Sequence, residues 1–185
     1  MNQKTMLITG ATDGIGKATA QALAMQGHTV ILHGRNAARG QAAVDELKKA
    51  AGHDRVDFMA ADLSSLREVR QLAAAVQAKY EQLHVLINNA GVFMNERQLT
   101  EDGFEMTFAV NHLAPFLLTQ QLLPLLRQSA PARIITVSSV AHQRGRINFD
   151  DLQSERAFNG YRAYAHSKLA NVLFTYELAA RLAGA

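Results

Sequence analysis

Short apolar runs alternate with longer amphipathic ones along the whole chain. Met6–Thr9, Thr29–Leu32, Val56–Ala60, Val85–Asn88 and Arg133–Val137 are each too short for a helix, and several are rich in Val and Ile, so each predicts a strand. Between and after them, helical spacing predicts helices over Ile15–Met25, Ala38–Ala51, Leu66–Tyr80, Asp102–Leu126 and Tyr161–Leu182. Ser65-Leu66-Arg67-Glu68 has the spacing of a capping box, in which the hydroxyl and the carboxylate each satisfy an orphan amide at a helix start. Strands that read as near-continuous apolar runs are buried on both faces, which implies a parallel sheet with helices above and below. The expected fold class is therefore α/β, a doubly wound parallel sheet. Neither linker, low-complexity tract nor internal repeat interrupts it, so residues 1–185 are expected to form one domain. The last helix has no strand to feed and the fifth strand would stay an open edge, so the sequence reads as the first two-thirds of a longer polypeptide.

Composition narrows the chemistry. The chain has 185 residues, 48% of them hydrophobic and 19% charged, with no Cys, which removes disulfides, thiolate zinc sites, iron–sulfur ligation and cysteine nucleophiles together. Nineteen Lys and Arg against 16 Asp and Glu leave a formal charge of +3, with the signs interspersed, so no nucleic-acid partner is expected. The start, Met1-Asn2-Gln3-Lys4, is polar, and Leu113–Leu126 is interrupted by Thr119, Gln120 and Gln121. Neither fits a signal core or a span of ~20 apolar residues, and a cytoplasmic protein without a membrane segment is expected. The seven histidines show no ligand spacing, so no metal is expected. Ser139, His142 and Asp150 could be drawn as a hydrolase triad, but no G-x-S-x-G elbow is present.

Thr9-Gly10-Ala11-Thr12-Asp13-Gly14-Ile15-Gly16 stands between the first strand and the first helix. A helix N-terminus presents amides and a positive dipole end to an anion, and glycines let a pyrophosphate approach the backbone. The spacing G-x-x-x-G-x-G differs by one residue from the commoner dinucleotide fingerprint, and a turn needed only for strand–helix packing is the plainer alternative. After the second strand the chain reads Leu32-His33-Gly34-Arg35-Asn36, without the acid that a ribose 2′-hydroxyl calls for. Arg35 offers a planar charged fork for a 2′-phosphate, which favours NADP(H) over NAD(H). Asp62 could accept from an adenine amino group, or simply cap the next helix with Ser64 or Ser65.

Tyr164-Ala165-His166-Ser167-Lys168 puts a phenol and an ammonium four residues apart on one helical face. A neighbouring cation favours a phenolate, which makes such a pair a usable acid–base device. Ser138 and Ser139 follow the fifth strand, at the carboxyl end where open α/β sheets place their chemistry, and a hydroxyl there can bond a substrate oxygen.

Taken in order, Gly10–Gly16, Asn88-Asn89-Ala90-Gly91, Asn111, Ser139, Tyr164 and Lys168 resemble the short-chain dehydrogenase/reductase family over essentially the whole chain. Val110-Asn111-His112-Leu113, Val137-Ser138-Ser139-Val140-Ala141-His142 and Ala165-His166-Ser167-Lys168-Leu169-Ala170-Asn171 are most similar to its retinol dehydrogenase and protochlorophyllide reductase-like branch. The resemblance implies a Rossmann-like fold, NADP(H) as cofactor and lipophilic alcohols, aldehydes or ketones as substrates. Tyr164 would exchange the proton with the substrate oxygen and also meet the cofactor, Lys168 would favour the phenolate while bonding the nicotinamide ribose, Ser139 would orient and polarise the carbonyl, and Asn111 would hold a relay water. Gly10, Thr12, Asp13, Gly14, Ile15 and Gly16 would meet the pyrophosphate side, Arg35 and Asn36 the 2′-phosphate, Asp62 and Leu63 the adenine, and Asn89, Ala90 and Gly91 the ribose side. The family also implies a homodimer or homotetramer. A non-catalytic dinucleotide sensor or scaffold of the same fold is the alternative.

Overall fold

A computed structural model describes residues 3–183; Ala185, the end beyond which a further strand was expected, lies outside them. Five strands, β1 (Thr5–Ile8), β2 (Thr29–Gly34), β3 (Val56–Ala60), β4 (Val85–Asn88) and β5 (Arg133–Thr136), pair in parallel in the order β3-β2-β1-β4-β5. The helices are α1 (Gly14–Met25), α2 (Ala37–Ala51), α3 (Leu66–Lys79), α4 (Met106–Phe108), α5 (Ala114–Gln128) and α6 (Gly160–Arg181). A π-helix at Ala109–Leu113 joins α4 to α5, and a short 3-10 helix at Val140–Arg144 follows β5.

Strand alternation sorts the apolar runs into two cores. Met6, Ile8, Val30, Leu32, Val85 and Ile87 pack with Ala20 and Ala24 of α1 and Val44 and Leu47 of α2. Leu7, Ile31 and Leu86 point the other way, onto Leu72 and Val76 of α3 and Leu118 and Leu122 of α5. Each fully buried Leu or Ile contributes roughly 1.5–3 kcal/mol, so both helical layers are held by the same strands. Burial on both faces holds for β1, β2 and β4 but not for β5, an edge strand on which Ile135 is 46% exposed. The chain runs outward from β1 to β3 and then returns to β4 on the far side of β1. The connections after β1 and β4 therefore run on toward opposite edges of the sheet, which puts the switch point, where open α/β sheets hold their ligands, above these two strands.

Two local expectations are corrected. The helix expected over Asp102–Leu126 begins only at Met106. Gly103, at φ +81, closes a turn with Thr100, and Leu99 bridges to Glu105 in antiparallel fashion. The buried Glu105 carboxylate then caps α4, accepting from Thr107 N at 2.8 Å and Phe108 N at 2.7 Å. Further on, Pro115 has no N–H and its ring crowds the carbonyl of the residue four back, Asn111. The helix widens just ahead of it, with Ala114 N reaching Ala109 O. The capping box is half formed: Ser65 Oγ accepts from Glu68 N at 3.4 Å, but Ser65 N is taken by Asp62 O, so the Glu68 carboxylate accepts from Asp62 N instead.

Candidate functional site

The turn after β1 is fitted onto the turn after β4. Gly10 has φ +64, and a Cβ there would stand 2.9 Å from Ala90 Cα. A Cβ on Gly16 would fall on the Gly10 carbonyl oxygen and 2.6 Å from Asn89 Nδ2. Thr9 Oγ1 accepts from Asn89 N and Ala90 N, both at 3.0 Å, while Asn89 Nδ2 donates to Thr9 O and Gly10 O. Above these joined turns lies a cavity of about 800 Å3, within the range of small-molecule and cofactor sites. Of the residues between Gly10 and Gly91 singled out for a dinucleotide, all line it except Gly14, whose Cβ position is open. A glycine cradle under a helix N-terminus, with cations at one side, suits a dinucleotide diphosphate.

Asp13 and Asn36 have structural duties as well. Asp13 caps α1 by accepting from Gly14 N at 2.7 Å, and Asn36 caps α2 through Arg39 N at 2.9 Å. Asp62 accepts from Ser64 N and Ser64 Oγ, so it orders its own turn while facing the cavity. Arg39 escaped the sequence reading. It lines the same cavity as Arg35 and pairs with Asp13 at 3.4 Å; no local spacing signalled it, because Arg35 precedes the Asn36 cap of α2.

His33 also escaped notice. It is buried under the glycine turn, donates from Nε2 to Ala61 O (3.0 Å) and accepts at Nδ1 from Gly10 N (3.3 Å). Desolvation pushes its pKa down to about 4, so the ring is neutral and can accept. Between pH 6.5 and 4 the unfolded chain takes up a proton that the folded one refuses, and stability falls as pH falls through that window, by about 3 kcal/mol. Urea unfolding at stepped pH should show this loss in the wild type and a flatter slope in His33→Gln. Identical slopes would deny His33 the role.

Lys168 and Asn111 approach Gly91 and Val92, which line the cavity, and the Tyr164 ring stands beside the lysine, but none of the three lines the cavity itself. Lys168 is 3% exposed and donates from Nζ to Val137 O at 3.0 Å. That Nζ stands 5.6 Å from the centre of the Tyr164 ring and 3.4 Å from where a Gly91 Cβ would project. Burial lowers the Lys168 pKa from the ordinary lysine value. Phe93 packs against Tyr164 with ring centres 5.6 Å apart. Asn111 is buried and accepts from Val92 N at 2.7 Å through Oδ1, while its Nδ2 donates to Val92 O and Ser167 Oγ. Of the serine pair, Ser138 donates to Lys168 O at 2.8 Å and so braces α6. Ser139 caps the 3-10 helix by accepting from Ala141 N, which leaves its hydroxyl proton for another acceptor. Among the described residues no hydrogen bond joins Ser139 to Tyr164, and no helix is long and apolar enough to cross a membrane.

The short chain dehydrogenase family model matches residues 4–185. Among curated proteins, retinol dehydrogenase 11 of Homo sapiens is 49% identical over 181 residues, which cover 98% of this chain and 57% of that protein. The chain thus spans a little over half the length of such relatives. Among solved structures, a protein from Mycobacterium paratuberculosis superimposes with a TM-score of 0.86 at 41% identity, covering 98% of this chain and 63% of that one. The NADP complex of RhlG from Pseudomonas aeruginosa does so with a TM-score of 0.79 at 34% identity, covering 98% and 68%. The chain belongs to the short-chain dehydrogenase/reductase family, and within it to the branch like the retinol dehydrogenases.

Proposed function

We propose that residues 1–185 form one dinucleotide-binding domain of an NADP(H)-dependent oxidoreductase that interconverts a lipophilic alcohol and its carbonyl compound. The observation that carries this is the buried Lys168 ammonium, set between the Tyr164 ring and the Gly91 side of the cavity. A bound nicotinamide supplies the hydride. Tyr164 passes a proton to or from the substrate oxygen, and Lys168 holds positive charge beside it as the phenol gives up its proton. Ser139 Oγ donates to the same substrate oxygen and orients it. Asn111, tied to both sides of Val92, fixes the polar floor through which Lys168 exchanges protons with solvent. The exposed side chains of Phe93 and Val140, next to Tyr164 and Ser139 respectively, offer an apolar wall for the substrate. That fits the kind of molecule in the name of the human relative.

Arg35 and Arg39 support NADP(H), since two arginines bordering the cavity and no carboxylate directly after β2 suit a 2′-phosphate. A charged hydrogen bond contributes about 1.5–3 kcal/mol, so Arg35→Ala in the full chain should weaken NADPH binding roughly 10–100-fold and leave NADH almost unchanged. Fluorescence titration with the two nucleotides measures it; wild-type protein that binds NADH as tightly as NADPH refutes the assignment. Tight NADPH binding with no turnover over a broad panel of carbonyl compounds would favour the non-catalytic sensor.

A further inference from the structure

The helix that presents Tyr164 and Lys168 also grips the π-helix that carries Asn111. Because Pro115 has no N–H, the Asn111 carbonyl loses the donor that an α-helix would supply. A side chain takes that place: Asn171 Nδ2, one turn past Lys168, donates to Asn111 O at 2.8 Å. The oxygen of the same amide faces His112 Nδ1 at 3.1 Å, which sets the amide's orientation and makes His112 the donor there. Asn171 is 2% exposed. A buried amide is costly unless its bonds are made, and both of its groups are engaged with consecutive residues of the π-helix.

On the residue before Lys168, Ser167 Oγ accepts from Asn111 Nδ2 at 3.0 Å and donates to Tyr164 O at 2.7 Å. Asn111 is thus held at its side chain by Ser167 and at its main chain by Asn171, from either side of the lysine. Asn111 Oδ1 and Lys168 Nζ each stand 3.4 Å from where a Gly91 Cβ would project, so the two polar groups share the space over Gly91. We propose that Asn171 is a positioning residue for proton transfer: it supplies the donor that Pro115 lacks and so keeps Asn111 in place beside Lys168. This rests on the oxidoreductase reading above.

On α6 the Tyr164 ring stands 5.6 Å from Lys168 Nζ, and His166 on the same helix interacts with His112 of the π-helix and with Glu105 at the entrance to α4. None of the ion pairs among the described residues includes Lys168. Its environment is therefore set by how well Asn111 and its neighbours exclude water. Releasing Asn111 admits water and moves the lysine back toward its ordinary titration range.

Asn171→Leu keeps the volume and removes both hydrogen bonds. In the full chain, with active sites counted by NADPH stoichiometry, this variant should hold its NADPH affinity within about twofold and lose turnover by up to about 100-fold, the scale that a misplacement of about 1 Å in a positioned group produces. The pH profile of kcat should be displaced, and the Lys168 side-chain carbon signal in NMR of the cofactor-free protein should titrate at higher pH than in the wild type. A titration and a profile that overlay the wild type overturn the proposal. If Asn171→Leu does not fold, Asn171→Asp decides, since it keeps an acceptor for His112 but has no N–H for Asn111. The NMR titration needs no substrate, so a wild-type chain that turns over nothing would sink the oxidoreductase reading while the lysine signal still decides the role of Asn171.

Discussion

Tyr164→Phe should lower turnover of carbonyl substrates by about 10²–10⁴-fold, the range that a positioned proton donor supplies, with NADPH affinity kept within a factor of about two. The phenyl ring keeps both neighbours of the tyrosine ring, Phe93 with its ring centre 5.6 Å away and the Lys168 ammonium 5.6 Å from the ring centre. Helix α6 keeps its start, because Asn159 caps it through Arg162 N, and it keeps the Ser167 bond to the residue 164 carbonyl, since neither uses the phenol oxygen. Only the O–H is removed, so a loss confined to kcat assigns the proton to Tyr164. Cofactor binding is spared because the glycine turn and its cavity lie on the other side of Gly91. Turnover by Tyr164→Phe equal to the wild type, measured by NADPH oxidation, would remove the phenol from the reaction.

The parallel sheet was legible because strand runs and amphipathic runs differ in length and period, and the glycine turn, Asn89-Ala90-Gly91 and the Tyr164–Lys168 pair were legible as candidates from residue type, spacing and order along the chain. Long-range hydrogen bonds were not legible. Nothing near Glu105 in the sequence says that its carboxylate will be buried as the cap of α4. His33 stood just past the expected end of the second strand as one of seven histidines without ligand spacing, and nothing local shows that the glycine turn folds over it and donates to its ring. The π-helix escaped because a wider turn and an α-turn place apolar side chains on nearly the same face, although Pro115 carried the physical cause in plain sight. Arg39 was hidden by the break between β2 and α2: four residues apart means one face only once a helix has begun, and Arg35 precedes the cap.

Gly16→Ala should abolish tight NADPH binding, with a loss of at least about 100-fold expected if two charged phosphate contacts of roughly 1.5–3 kcal/mol each are displaced. The cause is steric. The added Cβ meets a backbone oxygen, that of Gly10, and stands 2.6 Å from Asn89 Nδ2. Neither can step aside as a flexible side-chain tip can: Gly10 is itself held against Ala90, and Asn89 Nδ2 is bonded to Thr9 O and Gly10 O. Helix α1 must therefore move away from the turn, taking with it the N-terminal amides that face the cavity. Overpacking costs about 1–3 kcal/mol of stability as well, so a control is needed that is destabilised without touching the cradle. Gly52→Ala supplies it: φ is +71 at the end of α2, but no atom lies within 4 Å of the new Cβ, so the variant suffers backbone strain alone. Paired measurements of Tm and NADPH affinity should show both variants melting earlier and only Gly16→Ala failing to bind. If Gly16→Ala binds NADPH as the wild type does, the joined turns above β1 and β4 are a packing device and not a phosphate cradle, because a cradle built on that contact cannot accept the methyl group and still hold the diphosphate.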